Sequence, residues 1–120
     1  MKLTDLEVYK RLYGLVLEIH TLTLNFPKYE LYEIGSQLRR SSNSASANLA
    51  EGFGNKHTNI YLESISRAQG EIRETAHHLK IAFEKKYIAK EKVDELVREY
   101  EECSKMLYGL ESALIRKHQQ

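Results

Sequence analysis

Glu74 and His77, three positions apart, are a pair of residue types that can do metal chemistry. Carboxylate-bridged di-metal sites in helical bundles need two such Glu-x-x-His pairs and further inward carboxylates. The sequence holds one pair, and the neighbouring His78 would point in another direction on a helix. These side chains are read as surface residues, and no metal is expected. Cys103, the single cysteine, falls on an apolar helical seam where a buried thiol is inert. Gly52-Phe53-Gly54-Asn55 lacks the flanking strand and lysine of a phosphate loop, and no nucleophile elbow is present. The reading is a protein without catalytic residues or cofactors, not an enzyme.

The remaining chemistry is charge recognition. Arg39 and Arg40 could contact phosphate, and Lys56 and His57 follow shortly after. The competing reading is structural. On one helix Arg40, Ser44, Ala47 and Glu51 share a stripe, with Arg40 and Glu51 about 16 Å apart at 1.5 Å per residue. They cannot pair with each other, but each could pair with another helix or subunit. Glu51 closes a helix, where a negative charge needs a compensating partner. Arg39, Arg40, Asn48, Glu51 and Lys56 are the candidate RNA or subunit contacts. Lys80, Lys85, Lys86, Lys90 and Lys92 read as a solvated loop end. Asp94, Glu95, Glu99, Glu101 and Glu102 make an acidic face that would repel a phosphate backbone. Tyr9 and Tyr13, i and i+4 on one helix, suit a bundle edge, a subunit contact or base stacking.

The elements that position these groups are helices. One proline and six glycines in 120 residues argue against a turn-rich β fold. Leu3, Leu6, Tyr9, Leu12 with Tyr13, Val16, Ile19 and Leu22 with Thr23 recur at spacings of three and four and give a helix over about 5–25. Thr4 with Glu7 reads as its capping box, and Pro27 stops it. Residues 58–86 place Tyr61, Ile65, Ala68, Ile72, Ala76, Leu79 and Phe83 on one face, with Thr58 as N-cap. Over 90–117, Val93, Tyr100, Leu107 and Leu114 recur every seven positions, with Leu96, Cys103 and Leu110 as the second seam.

Residues 29–51 are the difficult segment, because Ser41 to Asn48 contain only Ser, Asn and Ala. Leu31, Ile34, Leu38, Ala45 and Leu49 keep helical spacing through that run. Three long helices need a fourth to close a core, and a long structureless linker inside a small domain is disfavoured. A helix follows, thin on one side, with Gly52 and Gly54 as C-cap residues. Gly14, Gly35, Gly70 and Gly109, one in each helix, read as points of close approach. The whole is a single four-helix-bundle domain over 1–120, all-α, up-down-up-down and antiparallel.

A formal net charge of +1 implies no bulk coating of nucleic acid or anionic membrane. One cysteine excludes an intrachain disulfide framework. No apolar run approaches the ~20 residues of a membrane span, and "MKLTDLEVYKRLYG" carries charges throughout, unlike a signal peptide. A cytoplasmic protein without a membrane partner is expected.

"QLRRSSNSASANLAEGFGN" resembles the signature of the bacterial 23S rRNA intervening-sequence proteins. Their Leu-Arg-Arg, small-residue run and Asn-(Ile/Leu)-Ala-Glu-Gly-(Phe/Tyr)-Gly fall on Leu38-Arg39-Arg40 and on Asn48 to Gly54. "NFPKYELY", "RAQGEIRE" and "MLYGLESAL" extend the likeness over nearly the whole chain. Two features depart from it. Ser44-Ala45-Ser46-Ala47 replaces a common Pro-containing segment, and Gly70-Glu71 stands where Gly-Ser is frequent. The resemblance implies a four-helix bundle and a homo-oligomer, in some members a pentamer. It also implies an RNA or ribonucleoprotein association, suggested more by gene location within 23S rRNA insertions than by chemistry. The alternative is a protein-only scaffold.

Overall fold

The computed structural model describes residues 1–119, which form four helices: α1 Glu7–Thr23, α2 Ile34–Gly52, α3 Thr58–Glu84 and α4 Lys90–Gln119. Successive helices pack side by side, α2 against α3 most extensively and α1 against α4 least. The particle measures 52 × 23 × 21 Å. No described helix is long and apolar enough to cross a membrane.

The core follows the apolar spacing. Leu12, Leu38, Leu49, Ile65, Leu79, Leu96 and Leu107 are fully buried, each worth roughly 1.5–3 kcal/mol against exposure. Val93, Leu96, Tyr100, Cys103 and Leu107 line the two seams of α4 as the heptads require. The small-residue run is helical throughout. Ser41, Ser42, Ala45 and Ser46 are buried, and the Ser41 and Thr75 hydroxyls share a 2.8 Å hydrogen bond between α2 and α3.

Several boundaries move. Helix 2 begins at Ile34 rather than 29. Residues Lys28–Glu30 make a 3₁₀ turn after Pro27, which turns Glu30 inward to be buried. Its carboxylate accepts hydrogen bonds from Lys85 Nζ at 2.8 Å and Tyr87 Oη at 2.7 Å. These bonds hold its carboxyl below the ordinary value. The first helix starts at Glu7 and ends at Thr23, because Leu6 is extended and acts as N-cap without a side-chain bond. Thr4 does not form the expected box. Instead the Lys2 backbone N–H donates to Asp5 Oδ2 at 3.0 Å. Thr58 is the first helical residue of α3, its N-cap being His57, whose N–H donates to Asn55 Oδ1 at 2.8 Å. α3 closes at Glu84. There the Lys86 N–H meets Phe83 O at 2.8 Å and the Tyr87 N–H meets Ala82 O at 2.9 Å. That Schellman pairing holds Lys86 at φ 68°, a position usually given to glycine.

The glycines also divide differently. A Cβ on Gly14 or Gly109 would meet nothing within 4 Å, and one on Gly70 only the end of Arg73. Gly35 lies against the Glu30 carbonyl. The tightest approach is at Gly52, the last residue of α2, where a Cβ would overlap Ser64 of α3. Gly54 takes the left-handed conformation beyond it, at φ 68°.

Candidate functional site

The five candidate contact residues lie along α2 and its following turn, and the fold separates them. Arg39 points back toward the α1–α2 connection. Its Nη1 donates to Thr23 Oγ1 at 3.0 Å and its Nη2 to the Leu31 carbonyl at 2.5 Å. The guanidinium fork thus ties the end of α1 to the turn entering α2. Arg40 points to α3, where it pairs with Glu74 and lies 3.6 Å from Glu71. Asn48, Glu51 and Lys56 lie toward the other end of α2. Glu51 and Lys56 are exposed and Asn48 is partly buried. Glu51 and Lys56 form no ion pair among the described residues. The five do not converge on one point.

The groups weighed for metal or covalent chemistry are also dispersed or engaged. The Glu74 carboxylate is taken by Arg40, with His78 Nε2 at 3.6 Å. His77 is exposed and stacks edge-on with His78 at 5.3 Å. No group of three or more metal-ligating side chains occurs among the described residues. Burial pushes the Cys103 thiol up to about 11, so it stays protonated.

The lysines near the α3–α4 turn are less free than the sequence suggests. Lys85 is held by Glu30, Lys90 by Asp94 at 2.8 Å, and Lys92 by Glu18 of α1. Hydrogen bonding to Glu30 raises the Lys85 pKa, as Glu18 raises that of Lys92. The Lys90–Asp94 pair is local to α4, but only packing of α1 and its following turn against this end could reveal the other two.

An unexpected surface lies between α1 and α2. Burial on α1 falls on Val8, Leu12, Leu15, Ile19 and Thr23. Tyr13, expected to belong to the inward stripe, is therefore 52% exposed. Leu17 is 58%, Leu24 74% and Tyr32 86% exposed on the same side of the chain's first half. Tyr13, Leu17, His20 and Leu24 fall at i, i+4, i+7 and i+11, one face of α1 continued onto its C-cap residue Leu24. Beside them a shallow recess of about 550 Å³ is bordered by Leu17, His20, Asn43 and Ser44 and by both candidate arginines, Arg39 and Arg40. The seven-residue spacing of Leu17 and Leu24 was the available sequence signal for this second stripe.

Three comparisons bear on this arrangement. The family pattern described as "23S rRNA-intervening sequence protein" matches residues 4–109. A crystal structure of a protein of unknown function, from the S23 ribosomal protein family of Bacteroides thetaiotaomicron VPI-5482, is similar with a TM-score of 0.75. It is 21% identical, over 87% of this chain and 97% of that one, a likeness of fold. No curated protein matches the sequence.

Proposed function

The chain belongs to the 23S rRNA-intervening sequence protein family, and we propose that it acts there as a non-enzymatic binding scaffold that self-associates through its α1–α2 face. The observation that carries this reading is the outward apolar row of Tyr13, Leu17 and Leu24. A second copy covering the row removes apolar surface from water, worth about 25 cal/mol per Å². Small side chains on α2, the exposed Ala47 and the partly buried Ser44 among them, let that copy approach closely. A face that meets its own copy closes a twofold dimer, whereas a ring needs that face to meet a different face of the next copy; the homopentamer that the resemblance implies for some members is of the second kind, and the cytoplasm is its expected compartment. Leu17→Glu and Leu24→Glu place charges in the row. Sedimentation velocity is expected to show them as monomers with unchanged helical circular dichroism. Assembly that survives both substitutions overturns the reading.

A second reading is association with RNA or a ribonucleoprotein. The family's designation favours it, together with Lys56, an exposed cation at the α2–α3 turn. Mobility shift against a structured 23S rRNA fragment and a scrambled control decides it. Selective binding at physiological salt that Lys56→Ala weakens supports the RNA role. Equal binding that vanishes with salt is the non-specific phosphate term and leaves a protein-only scaffold.

A further inference from the structure

On the opposite side, between α3 and α4, two recesses of about 460 and 360 Å³ share Lys80, Val97 and Glu101 and form one groove. Its floor is apolar, with Ala76, Phe83 and Val97 partly exposed along it. Its banks carry cations among acidic groups. Arg73 and Lys80 stand seven positions apart on α3, and Arg98 and Lys105 seven apart on α4. Each bank therefore repeats a positive charge every ~10.5 Å. Arg73, Lys80 and Arg98 form no ion pair among the described residues, and Lys105 reaches only Glu102 of its own helix, at 3.4 Å. Glu84 and Glu101 are the acidic groups of the groove outside the Lys90–Asp94 pair. With the Lys90–Asp94 and Lys105–Glu102 pairs set aside, three cations thus face two anions.

We propose that this groove binds an amphipathic helix of a protein partner, apolar on one face and acidic along both flanks. A helix in a groove anchors through side chains at i, i+3, i+4 and i+7, and the seven-residue cation repeat on both banks matches that period. The stretch from Lys90 to Lys105 spans ~22 Å, about four helical turns. Other occupants fit less well. A phosphodiester strand would lie on an apolar floor and meet Glu84 and Glu101. The α1 row of a second copy begins beside Lys10 and Arg11, which share the single carboxylate of Glu7, so it brings no line of acidic groups to the banks.

The test uses the full chain and a labelled helical peptide of about 15 residues, with leucines at helical spacing and glutamates on both flanks. A control peptide carries lysines in place of the glutamates. Fluorescence anisotropy is expected to show the acidic peptide binding ~10-fold or more tightly than the control, less so at high salt. The Arg73→Glu/Lys80→Glu double variant is expected to lose ~10-fold or more of that affinity with its helical circular dichroism intact. Ala76→Trp, which fills the floor and keeps the charges, is expected to weaken binding as well. Should that variant not fold, the surface charge reversal still reads the site. Equal affinity for the two peptides overturns the proposal, as does acidic-peptide binding indifferent to the charge reversal. A charge reversal that changes the assembly state instead of peptide affinity assigns the groove to a second copy and overturns it too.

Discussion

Gly52 of α2 and Ser64 of α3 touch so closely that no Cβ fits between them. The contact closes the end of the bundle where the α2–α3 turn begins, and Ser64 is itself pinned by donating to the Tyr61 carbonyl at 2.7 Å. Gly52→Ala must displace one helix, an overpacking cost of about 1–3 kcal/mol. Gly14→Ala is the control. It sits on an exposed stretch of α1 with open space around it, and should gain up to ~1 kcal/mol from helix propensity. Thermal melts followed by circular dichroism should therefore move in opposite directions for the two glycine-to-alanine changes.

Ala45, fully buried, sits in the small-residue run of α2, the helix that packs most extensively against α3. Ala45→Leu should cost about 1–3 kcal/mol, read as a lower melting temperature. Amide exchange gives the independent check. Residues 41–48 should be protected as a packed helix, whereas a linker would exchange fast. An unshifted melt or fast exchange would contradict the packing described.

Lys86 tests the opposite end. A non-glycine residue in the left-handed region costs roughly 1–2 kcal/mol, and the Schellman pairing at the end of α3 imposes that conformation. Lys86→Gly should raise stability by about 1 kcal/mol in a denaturant titration, while Lys86→Val should lower it. Equal midpoints would mean the turn relaxes without strain.

What could be read in advance divides along the range of the interaction. The seams of α4 were legible because Val93 to Leu114 repeat every seven positions, and periodicity is a local signal. The helical state of Ser41–Asn48 was legible for the same reason: Leu38, Ala45 and Leu49 keep their spacing across it. The start of α2 was not. It depends on Glu30 meeting Lys85 and Tyr87, 55 and 57 positions away. Gly52 read as a cap because its role depends on Ser64, which only the docking of α3 supplies. Arg40 could be assigned to a neighbouring helix in principle, but Glu71 and Glu74 are two of many carboxylates until the rotation of α3 is fixed. The outward row on α1 was hidden by abundance. The helix has more apolar positions than one face can bury, and the burial of Val8 and Leu15 chose the other face.

His78 gives a pH dependence with a definite sign. Burial pushes its pKa below the ordinary imidazole value, Glu74 opposes the shift, and His77 and Arg40 add to it. The unfolded chain, titrating near 6.5, therefore takes up the proton first as pH falls. The stability tied to neutral His78 is present above about pH 6.5 and is lost as pH drops toward the lower folded value. Melting temperatures from about pH 7.5 to 5 should fall more steeply for the natural sequence than for His78→Gln. Parallel curves would remove His78 as the source. Glu30 acts in a separate, more acidic window. Its carboxyl, held below the ordinary value by Lys85 and Tyr87, contributes stability above its unfolded pKa and loses it as pH falls further.

The two adjacent arginines should respond very differently to removal. Arg39 spends its fork on Thr23 Oγ1 and the Leu31 carbonyl in a partly buried setting. Arg39→Ala leaves both acceptors short of a donor, at a cost of about 1–3 kcal/mol. Arg39→Lys keeps the charge but cannot reach two acceptors with one planar group, so it should recover only part of the loss. Arg40 is half-exposed between Glu71 and Glu74. Its double-mutant cycle with Glu74 should return only ~0.2–1 kcal/mol, shrinking with added salt. A residue whose main work is phosphate recognition would behave otherwise: Arg40→Ala would leave the melt unchanged and cut RNA affinity, with a shallower salt slope. Measuring stability, coupling and RNA affinity on the same two alanine variants separates a pair of structural clamps from a basic patch. The geometry predicts the clamps, with the larger stability loss at Arg39.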